Sequence, residues 1–211
     1  MRTHINLVLV LLALLSSPAL AQENSKLPAG WEMRFDHPSA SLSNVKFTIN
    51  DKQYHFEAGS REAAIYYKPA MTTSGSYTLQ GTFTQLQKTG HPEAYGLFVG
   101  GKNLQGAKQE YLYFLIRQDG KYLIKRRTGS DTQTINNWMS SDAVKALGDD
   151  GQSTNALEIS CGKDAVKFIA NGQVLKSIPR AQLNYVEGIA GLRINHHLHL
   201  NIDNFDLNSM E

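Results

Sequence analysis

From Trp31 onward, apolar residues recur at every second position in short bursts. Val45, Phe47 and Ile49 form one series. Tyr77, Leu79, Gly81 and Phe83 form a second, Leu157, Ile159 and Cys161 a third, and Leu198, Leu200 and Ile202 a fourth, with polar or small residues between them. A period of two puts each series on one side of an extended strand, which predicts strands with one buried and one solvated face. Turn signals separate these runs. Asp119-Gly120 in "RQDGKY" and Asn171-Gly172 in "IANGQV" are the residue pairs that two-residue hairpin loops with positive φ favour, so two hairpins are expected there. One stretch, Ser140 to Leu147, reads as a short helix, with Ser140 or Ser141 as N-cap and Gly148 as the stop. Pro179 to Gln182 has the composition of one further turn. Many short strands with almost no helix indicate an all-β protein, a two-sheet antiparallel sandwich or a barrel.

The beginning of the chain departs from this pattern. Arg2 precedes an apolar run from Ile5 to Leu15, and the sequence then ends in Ala19-Leu20-Ala21, the three parts of a secretory signal. The run is short of the roughly 20 apolar residues a membrane helix needs, and no cysteine stands at the cleavage point to carry a lipid. The expected organisation is a signal peptide over 1–21, a flexible lead-in over 22–30 and a single domain over 31–211. The expected location is secreted or periplasmic, without a membrane anchor. Charge adds an exclusion: 21 basic and 19 acidic residues produce no overall field that would favour nucleic acid. Cys161 is the only cysteine, so no intramolecular disulfide forms and stability rests on the apolar core.

Three segments carry a family resemblance. "EAYGLFVGGKNLQGAKQEYLYFLIRQDGKYLIKRRTG", "TNALEISCGKDAVKFIANGQVL" and "GIAGLRINHHLHLNIDNFDL" resemble secreted bacterial domains of the concanavalin A-like lectin/glucanase superfamily, in particular laminin-G-like jelly rolls and the 3-keto-disaccharide hydrolases. The resemblance extends over nearly all of Trp31 to Leu207 and rests on strand and turn patterns. It implies two curved antiparallel sheets packed face to face, with carbohydrate bound on the concave face or along the rim loops. One departure bears on activity. Laminarinase-like members carry two glutamates and an aspartate alternating on one strand, whereas Glu158 stands alone in "NALEISC". A retaining glucanase requires two carboxyl groups about 5–5.5 Å apart, so that mechanism is disfavoured.

The residues offer several candidate sites. If Asp119-Gly120 forms a two-residue loop, Arg117 pairs with Tyr122, Leu115 with Ile124, Tyr113 with Arg126 and Tyr111 with Thr128. One face then presents Tyr111, Tyr113, Arg117, Tyr122 and Arg126. Aromatic rings suit the C–H face of a sugar, and Arg and Tyr supply directed hydrogen bonds, so this face is a candidate sugar platform. The alternative is ordinary cross-strand pairing on a solvated sheet surface. In an extended strand His197, His199, Asn201 and Asp203 share one face, a candidate for polar ligand contacts, while His196 points inward or belongs to a preceding bend. Two histidines without an announced third ligand do not make a zinc site, so no metal and no other cofactor is expected. Asp203, Asn204 and Asp206 fall short of a calcium loop. His91-Pro92-Glu93 places an imidazole and a carboxylate at a strand entrance, Trp138 is either a rim platform or a plug over the sandwich end, and Gly96, Gly100 and Gly101 mark a bulge or close backbone approach.

The leading functional expectation is a non-catalytic domain that binds carbohydrate or glycan. An enzyme cleaving or eliminating a glycosidic bond is the rival, with catalytic residues unassigned. A structural or adhesion module that binds protein is the third reading.

Overall fold

The computed structural model describes residues 26–183 and 185–210. The signal segment expected over 1–21, and with it the cleavage site, lies outside the described residues. Fourteen strands follow in order: β1 (Glu32–Phe35), β2 (Val45–Asn50), β3 (Gln53–Ala58), β4 (Ala64–Thr73), β5 (Tyr77–Gln85), β6 (Ala94–Lys102) and β7 (Glu110–Arg117) in the first half. The second half holds β8 (Lys121–Thr128), β9 (Asp131–Ser140), β10 (Ser153–Cys161), β11 (Ala165–Ala170), β12 (Gln173–Pro179), β13 (Gly188–Ile194) and β14 (His199–Ser209). They form two antiparallel seven-stranded sheets, one ordered β1-β4-β13-β6-β7-β8-β9 and the other β12-β11-β10-β5-β14-β3-β2. We call these the β7 sheet and the β5 sheet.

The alternation seen in the sequence explains the packing. Tyr77, Leu79 and Phe83 on β5, Leu157, Ile159 and Cys161 on β10, and Leu200 and Ile202 on β14 all face inward and join one large core. Across the interface they meet Tyr66, Tyr95, Leu97, Leu112, Phe114 and Ile116 of the β7 sheet. Aromatic contacts cross between the sheets: ring centroids lie 5.5 Å apart for Phe83 and Tyr95 and 5.6 Å apart for Phe114 and Phe168.

Asn171-Gly172 forms the expected two-residue hairpin. Ala170 pairs with Gln173, and both loop residues have positive φ. Asp51-Lys52 does the same between β2 and β3 without a glycine, which nothing in the pattern announced. Gly100 has φ +69°, and the β6–β7 ladder shifts register between Val99 and Lys102, so the glycines do mark a bulge. A Cβ on Gly100 would stand 1.9 Å from the Tyr185 carbonyl oxygen.

Two expectations are corrected. Ser140 to Leu147 is not a helix: Ser140 ends β9 and the remainder is turn and irregular chain. The backbone of this segment bonds to distant partners. Leu147 N–H donates to the Gln118 carbonyl, Lys145 N–H to Asn155 Oδ1, and the Lys145 and Ala143 carbonyls accept from the amides of Asn155 and Asn171. These tertiary bonds replace the i→i−4 ladder, overriding a weak local propensity. The only helical turns among the described residues are 3₁₀, at Leu42–Asn44 and Arg180–Gln182, the second where the extra turn was expected.

The second correction concerns the Asp119-Gly120 hairpin. Its loop has three residues, because Arg117 pairs with Lys121 and Gly120 N–H donates to the Arg117 carbonyl. Gln118 is drawn inward. Its Oε1 accepts from Thr89 N–H, the Thr89 hydroxyl and the Gln85 amide, while its own amide donates to the Thr89 carbonyl. A one-residue change of register sends every side chain of the second strand to the opposite face. Tyr122 and Arg126, expected beside Tyr113 and Arg117, therefore lie on the inner side of β8. Lys121, Leu123, Lys125 and Arg127 take the outer positions.

Candidate functional site

The β7 sheet buries its inner face against the core, yet its outer face is also largely covered. Ile65, Tyr67, Ala94, Phe98, Tyr111, Tyr113, Leu115 and Leu123 form a second apolar cluster there, with Trp138 packed against it. A strictly solvated sheet face would alternate to polar residues instead, so this outer face is built as a floor. Cross-strand pairs set its composition along the β7–β8 hairpin: Tyr111 with Arg127, Tyr113 with Lys125, Leu115 with Leu123, and Arg117 with Lys121.

Charged groups stand on and around this floor. The Arg117 guanidinium lies 4.5 Å over the Trp138 ring and donates from Nε and Nη2 to Asp119 at 2.7 and 2.8 Å. Lys121 shares the same carboxylate at 3.6 Å. These bonds hold the Asp119 carboxyl below its usual range, overcoming the burial that would raise it. At the other end Asp36, which follows β1, pairs with Arg193 on β13 and lies 3.7 Å from Arg127. Arg193 is 7 % exposed, and its Nε and Nη1 are buried without a hydrogen-bond partner among the described residues. Burial alone would favour its neutral form, but Asp36 outweighs that and raises its pKa. Burial also pushes the Tyr111 and Tyr113 hydroxyls up, against the pull of Arg193.

The five tyrosines and arginines expected to share a face are divided. Tyr111, Tyr113 and Arg117 lie on the outer face, whereas Tyr122 belongs to the main core and donates its hydroxyl to the Leu175 carbonyl at 3.2 Å. Arg126 sits at the inner edge, 3.7 Å over the Tyr185 ring, and bonds Glu110 at 2.9 Å. Lys125, Arg127, Arg193 and Asp36 were missed. Arg193 had a signal: it stands amid the inward series Ala190, Leu192 and Ile194, where a charge on the opposite face needs a partner.

The histidines are also redistributed. His197 is not on the strand with His199. It occupies the turn between β13 and β14, with φ +58° and its N–H bonded to the Gly59 carbonyl, because the chain there passes from one sheet to the other. His199 begins β14 on the outer face of the β5 sheet, opposite Glu57. Glu57 accepts from His55 and Lys46, both at 2.9 Å, and these bonds hold its carboxyl down to about 2. His196 lies in the expected bend. Its Nδ1 is 3.1 Å from Oε1 of the buried Glu93, and His91 Nδ1 approaches the same oxygen at 3.2 Å. Among the described residues no group of three or more His, Cys, Asp or Glu is placed to hold a metal.

No protein-family model matches the chain, and no curated protein matches it in sequence. Solved structures do match in shape. The carbohydrate binding module CBM66 from Bacillus subtilis is 10% identical over 85% of this chain and 96% of that one, with a TM-score of 0.62. A Bacteroides ovatus mixed linkage glucan GH16 protein, solved with a G4G4G3G product, is 8% identical over 82% and 92%, with a TM-score of 0.55. The carbohydrate recognition domain of Emp46p, in a metal-free form, is 11% identical over 85% and 87%, with a TM-score of 0.52. At such identities the likeness is one of fold, and together with the two antiparallel seven-stranded sheets it establishes that this chain has the concanavalin A-like lectin/glucanase jelly-roll fold.

Proposed function

We propose that this protein is a secreted or periplasmic carbohydrate-binding domain, non-catalytic, whose ligand lies across the outer face of the β7–β8–β9 strands. The observation that carries this reading is the composition of that face. A half-buried Trp138, stacked by Arg117, offers its ring above a buried apolar layer of Tyr113, Leu115 and Leu123 that holds it in place, with cations projecting around it. Flat apolar surface flanked by directed donors is what a pyranose ring with an apolar face and a hydroxyl rim requires. The carbohydrate binding module and the carbohydrate recognition domain of the same fold lend this reading support.

Native gels containing soluble polysaccharides test it. At least one polysaccharide should retard the wild-type protein, and Trp138→Ala should weaken that retardation by about tenfold, from the roughly 1 kcal/mol of an aromatic contact plus lost apolar area. Absence of retardation across a broad panel, or retardation indifferent to Trp138→Ala, would remove the reading. The competing enzyme reading draws on Glu93, whose buried carboxylate lies between His91 and His196. Release of reducing ends or unsaturated sugars from a retarding polysaccharide, lost in Glu93→Gln, would favour it.

A further inference from the structure

The outer face of the β7 sheet has a charge that neither its fold nor its apolar floor demands. Its outward strand positions carry Arg34, Arg117, Lys121, Lys125, Arg127 and Arg193 as cations and Glu32 as an anion, and Asp36 and Asp119 lie at its edges. Six cations thus stand against three carboxylates, an excess of three positive charges, whereas the whole chain has 21 basic and 19 acidic residues and an excess of two. The excess charge of the protein is concentrated on this one face.

Its distribution is uneven in a useful way. Asp36 is shared by Arg193 and Arg127, and Asp119 by Arg117 and Lys121, so each carboxylate faces two cations and is already committed. Lys125 lies between these two groups, opposite Tyr113 on one side and Thr134 on the other, and makes no ion pair among the described residues. An unpaired cation between two over-subscribed carboxylates, on the same face as Trp138, attracts an anion that also has an apolar face.

We propose that the ligand of this face is an acidic glycan, and that Lys125 is the residue that meets its carboxylate or sulfate. This inference rests on the glycan-binding reading above and deepens it by naming the ligand class. A neutral sugar would leave Lys125 and the surplus charge of Arg127 and Lys121 without counterpart. A uronate or sulfated unit supplies one negative charge per residue at a spacing that a strand surface can follow.

Isothermal titration tests this with four probes: polygalacturonate, a sulfated galactan, a neutral mixed-linkage glucan and a single-stranded DNA oligomer. Wild type should bind one or both acidic polysaccharides, and affinity should fall as salt rises from about 0.05 to 0.5 M, over which the screening length contracts well below the width of the face. Preference for polygalacturonate assigns carboxylate recognition and preference for the galactan assigns sulfate recognition; either supports the proposal. Lys125→Gln should weaken acidic binding about fivefold, the strength of one charge pair at about 4 Å in water, and Lys125→Arg should retain it. Lys121→Gln, at a partly exposed position of the same face, is the companion variant should Lys125→Gln melt early, and it should likewise weaken acidic binding. Salt-insensitive binding of the neutral glucan alone, unchanged in Lys125→Gln, would overturn the acidic ligand while leaving the glycan reading standing. Tighter binding of DNA than of either polysaccharide would overturn it in favour of a nucleic-acid surface. Binding of no polysaccharide would remove both readings.

Discussion

Tyr122 tests the register on which the outer face depends. With a three-residue loop its side chain enters the main core, where it is 4 % exposed and packs near Phe114 at a centroid distance of 6.5 Å. Its hydroxyl reaches across the sandwich to the Leu175 carbonyl of β12. Tyr122→Ala removes the ring and leaves a cavity that the two sheets cannot close without moving, at a cost of about 3–5 kcal/mol by analogy with buried aromatic truncations. Tyr122→Phe keeps the ring and loses one hydrogen bond, at about 1 kcal/mol. Lys121→Ala, one residue earlier and on the outer face, should stay within about 0.5 kcal/mol. Urea unfolding followed by tryptophan fluorescence measures all three, and in a domain of this size the alanine variant should melt roughly 6–20 °C lower. A loss below about 1 kcal/mol for Tyr122→Ala, or a larger one for Lys121→Ala, would mean that β8 is turned the other way and that the outer face has been misassigned.

Two further perturbations probe the ion pairs. Glu57 has a carboxyl depressed to about 2, so its bonds to His55 and Lys46 contribute stability above the ordinary carboxylate pKa, and that contribution is lost as pH falls from about 4.5 towards 2. The melting temperature of wild type should therefore drop more steeply over that window than that of Glu57→Gln; parallel curves would show that the pair contributes nothing. Asp36→Ala strands the buried Arg193 without its carboxylate and should cost about 3 kcal/mol, while Asp36→Ala combined with Arg193→Met should recover much of it. Equal losses in the single and double variants would refute the coupling.

Strand alternation was legible because burial on one face imposes a period of two on the sequence, and it holds across Tyr77 to Phe83 and Leu157 to Cys161. What escaped were features decided by distant partners. The Asp119-Gly120 loop gained a residue because Gln118 is held by Thr89 and Gln85, and the segment after Ser140 lost its helix to Asn155 and Asn171. The candidate face was misread through the same loop: counting from a two-residue turn exchanged Lys121, Lys125 and Arg127 for Tyr122 and Arg126. Asn171-Gly172 formed as its residue pair dictates, because the distant bonds of Asn171, to Ala143, Asn155 and Ala156, are compatible with the two-residue turn rather than opposed to it.

Trp138 reports on whether glycan lies across the outer face, since the chain has two tryptophans and the other, Trp31, is buried in the core. Intrinsic fluorescence should be followed while a retarding polysaccharide is titrated into wild type and into Trp138→Phe. A ligand lying over Trp138 should produce a saturable change in intensity and a blue shift in wild type, at the same midpoint as calorimetric binding, with the change absent in Trp138→Phe. Calorimetric binding that leaves the Trp138 emission unchanged would place the ligand elsewhere on the molecule and contradict it.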